Sequence, residues 1–183
     1  MTDDAREPAV GARELAKAQR QRWQKTYAAH PSMYGEEPSS PAVHAALLFR
    51  AAGAEDVLEL GAGHGRDALH FAREGFTAQA TDFSPAGLKQ LRQAAQAQGV
   101  TARLSTAVHD VHEPLPLPDA SVDAAFAHML LCMALSTKDI HALAAEVRRV
   151  LRPGGRGAVP WGLSAGGQGR GGNGLRGVRR KRG

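Results

Sequence analysis

Cysteine is almost missing from this sequence. Its 183 residues hold one, Cys132, which excludes an internal disulfide and any zinc site built from several cysteines. That usage suits a reducing compartment, and Cys132 itself is expected to be a buried apolar residue. Long apolar runs are missing too: nothing approaches the ~18–20 residues a membrane helix needs. The first ten residues, MTDDAREPAV, carry acids where a secretory leader has a basic region and an apolar stretch. A cytoplasmic chain without a membrane partner is therefore expected. Acids are missing from residues 152–183, which hold eight Arg or Lys and 12 of the 21 glycines. The overall charge of +5 thus belongs to the tail, and the rest of the chain sets fifteen bases against eighteen acids. A mildly acidic body argues against a nucleic-acid surface there.

What is present is a core and an alternation of elements. Apolar residues make up 43% of the chain, enough for one domain of ordinary size. Residues 11–29 favour helix, with Leu15, Trp23 and Tyr27 as sparse anchors. A turn-rich loop, HPSMYGEEPSSP, leads to a second helix, with Ser40 expected as its cap, Pro41 at its first position, and Val43, Leu47, Leu48 and Ala51 along its packed face. DVLEL at 56–60 reads as a buried strand. A helix follows over 64–74, then a strand at 77–81 ending at Asp82, and a helix opened by Ser84 and Pro85. Further strands are predicted at 101–109 and about 122–129. An amphipathic helix capped by Ser136 or Thr137 then runs until Pro153-Gly154-Gly155 stops it. This order predicts an α/β fold with a doubly wound, mostly parallel sheet.

The chemistry centres on Glu59-Leu60-Gly61-Ala62-Gly63-His64-Gly65, which follows a strand and opens a helix. Glycines there admit positive φ and close approach of a ligand to the backbone, and the helix start offers unpaired N–H groups. Asp82 ends the next strand, where a carboxylate can accept both hydroxyls of a ribose; taken alone it is equally an ordinary strand-end acid. Phe83 either lies against an adenine or belongs to the core. A dinucleotide fingerprint would need a third glycine at position 66, which is Arg. Nicotinamide-dependent oxidoreduction is disfavoured on that ground.

The glycine pattern after an acid instead resembles the donor loop of class I S-adenosylmethionine-dependent methyltransferases. Asp110 and Val111 after the third strand, the segment PLPLPDASVDAAFAHMLL, and EVRRVLRPGG continue the resemblance in order over residues 40–156. It implies a Rossmann-like methyltransferase fold and S-adenosylmethionine as cofactor. It implies donor contacts from Glu59, Gly61, Gly63, His64, Gly65, Asp82, Phe83, Asp110, Val111 and His128. Trp23, Tyr27 and SMYGEEPS are similar to the N-terminal cover of small-molecule members, in the tellurite-resistance and thiopurine methyltransferase-like branch. Met33, Tyr34 and Gly35 would then lie over the methyl donor; the other reading of this stretch is an amphipathic helix with core aromatics.

Methyl transfer to such a donor needs alignment first and a base only when the acceptor must lose a proton. Thiol and selenol acceptors are the easiest. Of eight histidines, His128 alone falls at the carboxyl end of the fourth strand, where acceptor chemistry occurs in this fold. It is the one candidate catalytic group, with a structural role as its alternative. No Asn-Pro-Pro-Tyr-like motif follows that strand, which disfavours methylation of nucleic-acid bases.

The expected organisation is a helix and cover loop over 1–40, the methyltransferase domain over 41–159, and a disordered Gly/Arg-rich tail over 160–183. The domain is expected to be incomplete at its C-terminal strands, through a frame slip near residue 156, leaving an unpaired apolar edge around Phe126. The competing readings are an inactive fragment or partner-binding module, and RNA binding through the RGG at 170–172 and the RRKR cluster. The acceptor's identity and the oligomeric state stay open.

Overall fold

In a computed structural model of the chain, residues 10–30, 33–133 and 135–158 are described. The tail from residue 159, with the RGG and RRKR motifs, Pro160 and nearly all of the stretch for which a frame slip is expected, lies outside the described residues, as do residues 1–9.

Five strands form one parallel sheet in the order β3-β2-β1-β4-β5: β1 (Asp56–Leu60), β2 (Thr77–Asp82), β3 (Leu104–Val108), β4 (Val122–Ala127) and β5 (Leu151–Ala158). The helices are α1 (Val10–Ala29), α2 (Ser40–Ala51), α3 (Arg66–Arg73), α4 (Pro85–Ala97) and α5 (Thr137–Val150). β1 is buried on both faces, as parallel strands between helical layers are. Val57 packs with α2 and α3 residues such as Phe49 and Phe71, whereas Leu58 and Leu60 pack with Leu143 and Val150 of α5. α4 completes the first layer through Leu88 and Leu91 against Ala68 and Ala80. The doubly wound expectation holds, and the order reverses at β1/β4, which puts a crevice at the carboxyl ends of β1, β2 and β4.

Several local expectations are corrected. The cap of α2 is Ser39, whose hydroxyl accepts the Ala42 N–H at 3.2 Å, one residue before Ser40. The buried face of α2 is Ala42, Ala45, Ala46 and Phe49, while Val43, Leu47 and Leu48 are exposed. Small alanines let this helix lie close to the sheet, so the larger aliphatics fall on the outer side. The helix predicted over 64–74 starts at Arg66, because the glycine loop takes two more residues. Residues 101–103 form a 3-10 turn ahead of β3.

At the far edge, Pro153-Gly154-Gly155 does not stand between helix and strand: it is a bulge inside β5, where the register jumps from Val122↔Leu151 to Ala124↔Arg156. Proline and glycine are tolerated at such irregularities of an edge strand. Phe126 therefore pairs with Ala158 and is buried, not left on an open edge. Arg152 pins the start of β5 by bonding Asp56 at 2.9 Å and Asp123 at 2.7 Å.

Candidate active site

The turn after β1 is shaped by backbone demands that only glycine meets. Gly63 has φ +59°, and a Cβ there would stand 2.5 Å from the Tyr27 hydroxyl. Gly65 has φ +87°, and a Cβ would run into the Leu91 side chain of α4. The loop is also tied to the end of β2. Gly61 and Ala62 donate to the Thr81 carbonyl at 2.9 and 3.0 Å, and Gly63 N–H donates to Asp82 Oδ2 at 2.8 Å. The other Asp82 oxygen accepts from Ser84 N–H at 2.7 Å.

Above this turn opens a cavity of about 660 Å³, lined by Glu59, Gly61, His64 and Asp82 from the loop and strand ends, by Trp23, Tyr27 and Tyr34 from the N-terminal segment, and by His128, Met129 and Leu130 from beyond β4. α1 forms part of the wall because it packs on α4, and Gln90 donates to the Tyr27 carbonyl at 2.6 Å. The rings of Trp23, Tyr27, His64 and Tyr34 form a connected cluster with centroid separations of 5.6 to 6.3 Å. His64 is further held by Gly35 O, 3.1 Å from its Nε2.

The electrostatics of the cavity floor are unusual. Glu59 is buried and its Oε2 has no hydrogen-bond partner. Burial, with Asp67 and Asp82 nearby, pushes its carboxyl well above the ordinary range. Asp82 is also raised, by burial, against the opposing bonds from Ser84 and Gly63. Burial and the same carboxylate push the Tyr27 phenol up. Such groups cluster where ligands bind. Met129, a non-glycine residue with φ +60°, stores local strain just where β4 gives way to the cavity.

The structure brings together Glu59, Gly61, His64, Asp82, Phe83, His128, Trp23, Tyr27 and Tyr34 around one cavity. Gly63 and Gly65 are buried beneath it and act through backbone shape. Asp110 and Val111 line an adjoining smaller cavity that shares Phe83, Leu130 and Met133 with the first. Phe83 is half-buried between the two and is outside the core. There Asp110 pairs with Arg20 of α1 and with His112 Nδ1 at 2.6 Å. Burial works against its charge, but the His112 bonds and Arg20 outweigh it and hold the carboxyl below its usual value. Met33 is 43% exposed and lines neither cavity; Cys132, expected to be buried, is exposed instead, its thiol donating to the Met129 carbonyl at 2.8 Å. The sequence reading missed Asp67, the second residue of α3, which is buried and lines the main cavity. Its position directly after Gly65-Arg66 was the signal available.

A parallel doubly wound sheet, a glycine turn after β1 and carboxylates at the ends of β1 and β2 define an α/β domain of the nucleoside-binding kind. The family model described as "Methyltransferase domain" matches residues 57–155, and the chain belongs to that class I S-adenosylmethionine-dependent family. An uncharacterized methyltransferase of Mycobacterium tuberculosis is 41% identical over 124 residues, which is 68% of this chain and 46% of that protein. The demethylmenaquinone methyltransferase of Tropheryma whipplei is 35% identical over 103 residues, 56% of this chain and 39% of that protein. The chain spans less than half the length of these curated relatives. Among solved structures, the CcbJ methyltransferase from Streptomyces caelestis is similar with a TM-score of 0.60 at 26% identity, over 74% of this chain and 54% of that one. Among the described residues, no helix is long and apolar enough to cross a membrane.

Proposed function

We propose that this chain binds S-adenosylmethionine over the Gly61–Gly65 turn and directs its methyl group to a small-molecule acceptor. The observation that carries the reading is Glu59, whose buried Oε2 lacks a partner in the floor of an open cavity. A buried polar atom without a partner is costly unless a ligand or water completes it, and a cationic amine suits a carboxylate best. The donor's methionine part carries such a group. Gly61, Gly63, His64 and Gly65 shape the turn beneath it. Asp82 keeps unused lone pairs for ribose hydroxyls after accepting two amides. Phe83, Asp110 and Val111 would border the adenine, and Asp110 would have to exchange Arg20 for it.

S-adenosylmethionine supplies a methyl group already activated on a sulfonium. The chain's own task is then to align an acceptor and to exclude water. Trp23 and Tyr27 of α1, with Tyr34, act as the cover and form its aromatic wall. Together with Met129 and Met133, that wall favours a compact, soft or planar acceptor such as a thiol or selenol. This is the basis for assigning the chain to the tellurite-resistance and thiopurine methyltransferase-like branch. His128 faces the acceptor side. Turnover of methyl-labelled donor with a panel of thiols, selenols and phenols tests the reading, with methylated thiol expected. Donor binding without turnover on any acceptor would assign the chain to the donor-binding or partner-binding alternative.

A further inference from the structure

Three buried carboxylates line the main cavity, and the donor reading leaves one of them, Asp67, unused. Asp67 Oδ1 accepts the Ser39 N–H at 2.7 Å, and Oδ2 accepts the Ser39 hydroxyl at 2.8 Å. Ser39 caps α2, so this carboxylate is braced between the starts of two helices. Its Oδ2 also stands 3.7 Å from Nδ1 of His128. That is longer than a hydrogen bond, so in this structure the two groups are neighbours without a bond between them. The His128 ring is steadied on one side by Phe126, at a centroid distance of 6.4 Å. With Nδ1 turned to a buried carboxylate, Nε2 is the nitrogen left for the cavity that His128 lines.

We propose that Asp67 is a positioning residue that holds His128 in its Nδ1–H tautomer, leaving the Nε2 lone pair free to take a proton from the acceptor. The inference rests on the methyl-transfer reading of the site. A carboxylate only accepts, so the neutral imidazole keeps its proton on the nitrogen facing it. The acceptor's X–H bond then breaks with its proton passing to Nε2. Its electron pair forms the bond to the methyl carbon, and the sulfur–methyl bond breaks with its pair remaining on sulfur. The imidazolium formed is stabilised by Asp67 and later returns its proton to water. Asp67 touches neither donor nor acceptor in this scheme. Acid in the first turn of α3 also favours the helix dipole, so a purely structural role for Asp67 is the reading to be separated.

The separating readout is the tautomer. The full chain, labelled with nitrogen-15 histidine, is examined at pH 8.5 by long-range proton–nitrogen correlation, with His128→Gln assigning the signal. Wild type is expected to show Nδ1–H. Asp67→Asn, whose amide can donate to Nδ1, is expected to convert His128 to Nε2–H. Ser39→Ala removes a brace but keeps the carboxylate, and is expected to retain Nδ1–H. Any species other than Nδ1–H in wild type overturns the proposal, and so does an unchanged tautomer in Asp67→Asn. If Asp67→Asn fails to fold, the wild-type spectrum decides alone. For an acceptor that must lose a proton, Asp67→Asn is expected to lower kcat by about 10²-fold or more with KM retained. The spectra need no turnover, so a chain that transfers no methyl group still tests Asp67.

Discussion

Arg20 of α1 and Asp110 after β3, ninety residues apart, form an ion pair that ties the N-terminal helix to the rim of the crevice. The pair is half exposed on the Arg20 side, so its value to stability is small. Its importance is competitive, because Arg20 occupies the carboxylate assigned to the adenine. Arg20→Ala is expected to change stability by less than about 1 kcal/mol and to bind S-adenosylhomocysteine at least as tightly as wild type. Asp110→Ala should bind it more weakly. Calorimetric titration of both variants checks the pair.

Glu59 gives a pH prediction whose sign is opposite to the usual one for an acid. Its carboxyl is raised well above the ordinary range by burial, so between the unfolded and folded values the native state holds more protons than the unfolded chain. Stability from this group is fully present below the unfolded value near 4.3 and falls as pH rises through the raised one. Glu59→Gln is expected to flatten that fall and to raise the melting temperature at pH 8, while weakening S-adenosylhomocysteine binding. Melting curves between pH 5 and 9 decide it.

Asp123 behaves in the opposite way. Burial acts against its charge, but bonds from the amides of Asp56 and Glu55 and from Arg152 outweigh it and lower the carboxyl. Its contribution is present above the unfolded value and lost as pH falls through the depressed one. Arg152→Ala is expected to shift the acid unfolding midpoint upward, read by circular dichroism.

Asp82 ties the glycine loop to β2 with two oxygens, one for each of two buried amides. Asn offers one acceptor, so Asp82→Asn leaves an amide unpaired. The expected cost is about 1–3 kcal/mol in denaturant unfolding, together with loss of donor affinity.

Phe126 tests the sheet itself. It is buried between β1 and β5 and meets Phe71 edge-on at 5.2 Å. Phe126→Ala is expected to cost about 3–5 kcal/mol, measured by urea unfolding. A cost below about 1 kcal/mol would mean that this side chain is not packed against Phe71 and its layer.

The loop, both strand-end acids and the element order were legible in the sequence because each is a local signal: apolar runs ended by glycine, and acids at fixed offsets from them. The packed face of α2 was not, since periodicity favours the bulky Leu47 and Leu48 while the sheet takes Ala45, Ala46 and Phe49. The bulge in β5 was hidden because Pro153-Gly154-Gly155 reads as a stop in isolation, and only pairing with β4 makes it a strand. The pairing of Asp67 with Ser39 and the Arg20–Asp110 pair were out of reach because the partners are distant in sequence, although the place of Asp67 just after the glycine turn was a local signal.

The donor site proposed for this chain is formed by the Gly61–Gly65 turn and Glu59. Its most direct test is calorimetric titration of the full chain with S-adenosylhomocysteine, alongside a circular dichroism spectrum. Micromolar binding that weakens in Glu59→Gln is expected. A cooperatively folded chain that takes up no S-adenosylhomocysteine would contradict it.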